Sequence, residues 1–367
     1  MTDQRVEKLA RILVDYSIQV KPGDWVAVMG NVTALPLVNE VVRGVLRAGG
    51  HPSILLDSSD LTETVFKESS EAQLQWVSPI DSLVMQQVDA LIHLDATENT
   101  RALSGIDPQK QRMRSVARRE LTHTYLKRSA EGSLRWVVTQ YPCQALAQEA
   151  DMSLRDFENF VYGATFADQP DPVQCWQEVH TRQQRLVEWL HGKQQVVVRG
   201  PNSDLTLSIA GRDFINCDGR MNMPDGEIFT GPVENSANGW VKFTYPAITG
   251  GREVNGVELE FKEGKVVSAR AKKNEEFLLS QINSDPGARY LGEFAIGTNY
   301  GIRQFTRSIL FDEKIGGSFH MALGAGYPET GSKNESNIHW DFICDLRDNS
   351  EILVDGELLY KNGEFKI

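Results

Sequence analysis

The spacing of apolar residues changes character once along this chain, near Gly192, and that change limits what each half can fold into. Before it, helical and extended patterns alternate. Val6, Leu9, Ala10, Leu13 and Val14 recur at helical spacing between Arg5 and Tyr16, and Lys21-Pro22-Gly23-Asp24 interrupts them before the apolar run Trp25–Met29. A second helical pattern, Leu35–Ala48, stops at Gly49-Gly50, and short apolar runs follow at Ser53–Leu56, Ala90–Leu94 and Arg135–Thr139. Repetition of this kind predicts an α/β layer of mainly parallel strands joined by helical crossovers. The turn Gly30-Asn31-Val32-Thr33-Ala34-Leu35 carries neither the glycine fingerprint of a dinucleotide site nor the G-K-[ST] of a P-loop. Only the N-terminus of the following helix is left there to attract an anion.

Past Gly192 the chain reads as short strands separated by tight turns. Gln195–Arg199 and Leu205–Ile209 flank Asn202-Ser203-Asp204, and Glu263-Gly264, Asp355-Gly356 and Asn362-Gly363 each lie between alternating apolar residues, as antiparallel hairpins prefer. The expected architecture is α/β: an N-terminal α/β domain with a mainly parallel sheet over residues 1–192, then a strand-rich α+β domain over residues 193–367. A length of 367 residues, beyond the size at which one core usually stops growing, agrees with two domains.

The formal charge of −12 opposes binding to polyanionic nucleic acid. The basic residues Lys110, Arg112, Arg114, Arg118, Arg119, Lys127 and Arg128, with Glu120 the one acid among them, read as a solvated helix face rather than a docking patch. Cys143, Cys175, Cys217 and Cys344 are widely spaced, which predicts free thiols in a reducing compartment. Charged residues occupy the N-terminus where a signal peptide needs an apolar core, and no stretch has the length of a membrane span. A cytoplasmic protein without membrane partners is expected.

In the second domain ionisable groups stand where the pattern calls for apolar ones. Pro224-Asp225-Gly226 turns the chain into Glu227-Ile228-Phe229-Thr230; taken alone, an acid after a turn is ordinarily a surface residue. Glu293 interrupts the apolar stretch Leu291–Gly297, and His320 interrupts Gly316–Gly324, where a satisfied core histidine is the ordinary reading. His339 and Asp341, two apart in Ile338–Ile343, share one face of a strand, and Tyr327 follows Gly324-Ala325-Gly326. Buried carboxylates and imidazoles are costly unless they pair or bind metal. Three carboxylates and two imidazoles suit two borderline divalent cations such as zinc or cobalt, and the lack of thiolates argues against a closed structural zinc site.

Met223-Pro224-Asp225-Gly226-Glu227, Leu291–Gly297, His320 with Tyr327, and His339-Trp340-Asp341, in that order, resemble the thermophilic aminopeptidase family of metallopeptidases, typified by aminopeptidases T and S. The resemblance extends to the opening helix and the Lys21–Asp24 turn. It implies a homodimeric, dinuclear exopeptidase acting on short peptides with a free N-terminus, its two ions held by Glu227, Glu293, His320, Tyr327, His339 and Asp341. Glu293 is expected to bridge the ions, Glu227 and His320 to complete one, and His339 and Asp341 the other. Tyr327 either ligates or donates to the oxyanion at the scissile carbonyl. The substrate amine is to be met by one of the ions or by a nearby acid such as Glu234 or Asp225, and Trp240 and Phe305 are candidates for a subunit interface, although each is more often a core residue. Pro328–Ile338 is short for the family. Two other readings stay open: a dinuclear amidohydrolase on a non-peptide amide, and a scaffold that keeps these groups as a polar core network.

Overall fold

The computed structural model describes residues 3–249 and 251–367. The chain divides into two compact units, one formed by the residues up to Trp176 with Gly219–Pro224, the other by Gln177–Asp218 with Asp225–Ile367. The boundary expected near Gly192 lies just past the helix Pro172–Leu190, and the division falls inside that helix. Among the described residues no helix is long and apolar enough to cross a membrane.

The first unit is built on a parallel sheet whose strands run in the order His51–Asp57, Trp25–Asn31, Ala90–Asp95, Arg135–Gln140 and Asn222–Met223. All four runs expected in the first half are strands. The fifth comes from the returning segment, with Asn222 and Met223 registered on Val138 and Thr139. Val26, Ala27, Val28, Ile92 and Leu94 are fully buried, as in a parallel sheet covered on both faces. The opening helix starts on Asp3, whose carboxylate accepts from Arg5 N–H, and after Arg11 it widens into π-helical turns over Ile12–Ser17.

The basic run is not simply solvated. Lys110 Nζ donates to the carbonyls of Phe66 and Lys67, Arg114 to that of Trp76, and Arg128 to those of Met85 and Val88, while Arg118 pairs with Asp81. These cations satisfy carbonyls at or near the C-terminal ends of neighbouring helices, where helix dipoles favour positive charge. Where strand order reverses around Trp25–Asn31, a cleft of about 660 Å³ opens at the carboxyl ends of the strands. Asp57 and Asp95 line it, so its charge opposes the anion considered for that turn.

The second unit holds an eight-stranded antiparallel sheet and a five-stranded one. In the three hairpin turns Glu263, Asp355 and Asn362 have φ near +50°, each followed by a glycine at positive φ, which is the backbone that two-residue hairpins require. The five-stranded sheet runs in the order His339–Asp345, Ser318–Gly324, Leu291–Gly297, Glu227–Thr230 and Ile215–Cys217. One of its faces supplies Phe294, Phe319, Met321 and Phe342 to a core shared with Leu205, Val241 and Leu259. Each such side chain contributes on the order of 2 kcal/mol by leaving water.

Candidate metal centre

The other face of that sheet carries the ionisable groups. Directly paired residues in an antiparallel sheet point the same way, and the register pairs Gly297 with Glu227, Ala295 with His320, Ala322 with both Glu293 and Asp341, and Gly324 with His339. Glu227, Glu293, His320, His339 and Asp341 therefore share one face, separated by alanine and glycine that leave the space above the sheet open. Leu291 and Glu293 are two apart and would by alternation share a face. The register shift between them, with Gly292 as the extra residue, sends Leu291 into the core and Glu293 to the ionisable face.

Among the described residues, Glu227, Glu293 and His320 form one triad and Glu293, His339 and Asp341 another, each with donor atoms within 4.8 Å of one another. His320 Nε2 lies 3.3 Å from Glu227 Oε2 and 3.3 Å from Glu293 Oε1. His339 Nε2 lies 3.2 Å from Glu293 Oε2 and 3.6 Å from Asp341 Oδ1. Charge-assisted hydrogen bonds are shorter, about 2.8 Å. Donors held at zinc-ligand distance in a tetrahedron stand about 3.3 Å apart. One N–H on His320 cannot serve two carboxylates, and Glu227 Oε2, Asp341 Oδ1 and His320 Nδ1 are buried without a well-angled hydrogen bond. The donor set fits divalent metal better than it fits a closed hydrogen-bond network.

Two glycines set the outer part of this face. A Cβ on Gly292 would meet Ala325 O at 2.2 Å, and Gly324, at φ +105°, would place one 2.1 Å from Ile338 O. With no side chain on Gly292, the Ala325 carbonyl accepts a hydrogen bond from His339 Nδ1 at 2.7 Å, which directs Nε2 toward the carboxylates. The Tyr327 ring stands edge-on to His339 with centroids 5.1 Å apart. The residue as a whole is exposed, but desolvation of its hydroxyl end, then the charges of Glu293 and Asp341, raise its phenol far above the ordinary value.

Without metal the groups hold protons against one another. Burial opposes charge on His320 and His339, yet Glu227 and Glu293 push His320 up to about 10, and Glu293 with Asp341 pushes His339 up to about 9. Burial raises Glu227 to about 8 and, with Glu313, Asp341 to about 7. Hydrogen bonds from both imidazoles outweigh burial at Glu293 and hold it down to about 2.

Two residues at this face were not foreseen. Lys314 is completely buried, 3.7 Å from Glu227 Oε1 and paired with Glu313. Glu313 converges with His320 and Asp341. The polar run Asp312-Glu313-Lys314 reads as a surface loop, so periodicity gave no signal for either. Cys217 lies with Asp225 and Glu227, but burial and those carboxylates raise its thiol and keep it protonated. Glu227 itself is buried, unlike an ordinary acid after a turn. Glu234 is engaged by Arg212 and the Lys333 N–H, and Asp225 is buried beside Cys217 and Glu227.

Against known proteins, a model described as thermophilic metalloprotease (M29) matches residues 2–365. The chain belongs to the thermophilic metalloprotease (M29) family. Curated relatives of this M29 protein include Aminopeptidase 2 of Geobacillus stearothermophilus, 26% identical with 94% of this chain and 93% of that protein covered. Another is Aminopeptidase T of Thermus thermophilus, 24% identical with 98% and 96% covered. Among solved structures, wild-type AmpT from Thermus thermophilus superimposes with a TM-score of 0.86 over 99% of both chains at 22% identity. A 2,5-dihydroxypyridine dioxygenase from Pseudomonas putida KT2440 gives 0.57 over 98% and 96% at 13% identity. The M29 fold is thus shared with a protein named for different chemistry, and function has to be argued from the site.

Proposed function

We propose that this M29 protein is a metal-dependent aminopeptidase that releases N-terminal residues from short peptides. The observation that carries the reading is the split carboxylate of Glu293, with one oxygen turned to His320 and the other to His339. Glu227, Glu293 and His320 would hold one divalent ion, and Glu293, His339 and Asp341 a second, with Tyr327 beside it; the chemistry of the donors favours zinc or cobalt. Such ions, when bound, polarise a scissile carbonyl and acidify the attacking water.

The chain's own residues account for the remaining requirements. Glu313 pairs with Lys314 rather than with an imidazole, and its place beside His320 and Asp341 suits it to take the proton of the attacking water at a carboxylate oxygen. Tyr327, its phenol kept protonated, is a hydrogen-bond donor for the oxyanion. The assembly and compartment belong to the same reading: a homodimer in the cytoplasm, supported by exposed apolar residues such as Trp76 and Ile80 and by four free cysteines.

The test is metal analysis of the purified chain with turnover of aminoacyl p-nitroanilides before and after chelation, beside their N-acetylated counterparts. Bound divalent metal, chelator-sensitive cleavage and a strict need for the free amine are expected. Equal cleavage of acetylated substrates would leave the amidohydrolase reading, and metal-free inert protein would leave the scaffold.

A further inference from the structure

Next to Asp341 the second unit contains a cavity of about 190 Å³, walled by Ile248, Phe305, Ile309 and Ile343. Ile343 lies two residues beyond Asp341 on the same strand face and pairs with His320, so the cavity continues the face that carries the donors. Of its polar neighbours, Asp341 belongs to the donor set, and Arg307 and Asp312 are committed to other partners. Arg307 Nε pairs with Glu253 Oε2 at 3.3 Å. Asp312 Oδ1 accepts from Thr306 N at 2.7 Å and from Thr306 Oγ1 at 2.9 Å, which fixes the loop leading into the Ile309–Asp312 helix. What remains available is the apolar wall.

We propose that this cavity receives the side chain of the substrate's N-terminal residue and selects aliphatic and benzyl-sized groups over small or cationic ones. This rests on the aminopeptidase reading and names its substrate class. Apolar cavities of about 150 Å³ accept a benzene-sized molecule, so leucine, methionine and phenylalanine side chains are within its size. An alanine methyl leaves most of the wall uncovered, and in a hydrophobic pocket even one missing methylene lowers kcat/KM by about tenfold or more. A lysine or arginine side chain would have to shed the water around its charge against this apolar wall, with Asp312 held by Thr306 and Asp341 among the metal donors.

The experiment measures kcat/KM of the metal-loaded protein for the p-nitroanilides of leucine, alanine and lysine, and, separately, calorimetric binding of free L-leucine and L-alanine. Leucine is expected to exceed alanine by at least about tenfold, with lysine below alanine. Ile248→Phe, which fills the cavity, should lower the leucine-to-alanine selectivity ratio about tenfold and weaken L-leucine binding relative to L-alanine. Ile309→Trp, at the exposed rim, repeats the test if the first variant does not fold, with metal content and melting temperature reporting integrity. Equal turnover of leucine and alanine substrates, a preference for lysine, or an unchanged ratio in a folded variant overturns the proposal. Selective leucine binding lost in the variant, without cleavage of any anilide, keeps the cavity assignment and removes the peptidase. Cleavage without side-chain preference does the reverse.

Discussion

Glu293 and His339 meet through Oε2 and Nε2 at 3.2 Å, while the second oxygen of the same carboxylate is turned to His320. A residue placed in both donor triads cannot be removed without weakening both. Glu293→Gln is expected to reduce bound metal to below one equivalent and to lower kcat/KM for leucine p-nitroanilide by a factor of about 10³ or more. Elemental analysis and steady-state kinetics check this together. A variant with wild-type metal and turnover would take Glu293 out of the mechanism.

Metal uptake should release protons. His320 and His339, held up to about 10 and about 9, carry a proton on the metal-free protein at pH 7, as do most of Glu227 at about 8 and about half of Asp341 at about 7. Bound ligands are deprotonated, so about three protons leave and apparent affinity rises as pH is raised from 6 toward 9. Calorimetry in buffers of different ionisation enthalpy gives the proton count. Uptake of protons, or no dependence on the buffer, would contradict the assigned donors.

Lys314→Met strips the buried partner from Glu227 and Glu313. Removing one member of a buried pair costs about 3–5 kcal/mol, so denaturant unfolding of the chelated protein should shift by that order. Arginine at the same position keeps the charge and should recover part of the loss.

Glu313→Gln separates proton transfer from metal binding. Loss of a general base lowers kcat by about 10²–10⁴, while metal content should stay at the wild-type value because no ligand is lost. A rise in KM with kcat preserved would instead make Glu313 an anchor for the substrate amine.

What could be read from the chain was whatever broke a pattern. Glu293, His320, His339 and Asp341 stand out because apolar neighbours surround them, and the structure brings them with Glu227 onto one sheet face. The parallel strands were legible for the complementary reason, since their runs are continuous and apolar. Glu313 and Lys314 were not, because a polar pair in a polar stretch looks solvated whichever way it folds. The same blindness applied to the Lys110–Arg128 segment, whose cations find backbone carbonyls distant in sequence. Nor does local periodicity reveal that Asn222 and Met223 return to the first sheet, because a two-residue strand has no period to detect.

The backbone around Ala325 shows how a residue without a side chain can set acid–base identity. Because Gly292 lets that carbonyl approach, Nδ1 of His339 keeps its hydrogen on Ala325 O, and Nε2 is the nitrogen that gives up its own when a metal binds. An added methyl at Gly292 would therefore register in the nitrogen chemical shifts of metal-bound His339, as a change in which nitrogen keeps its hydrogen, before any ligand had been mutated.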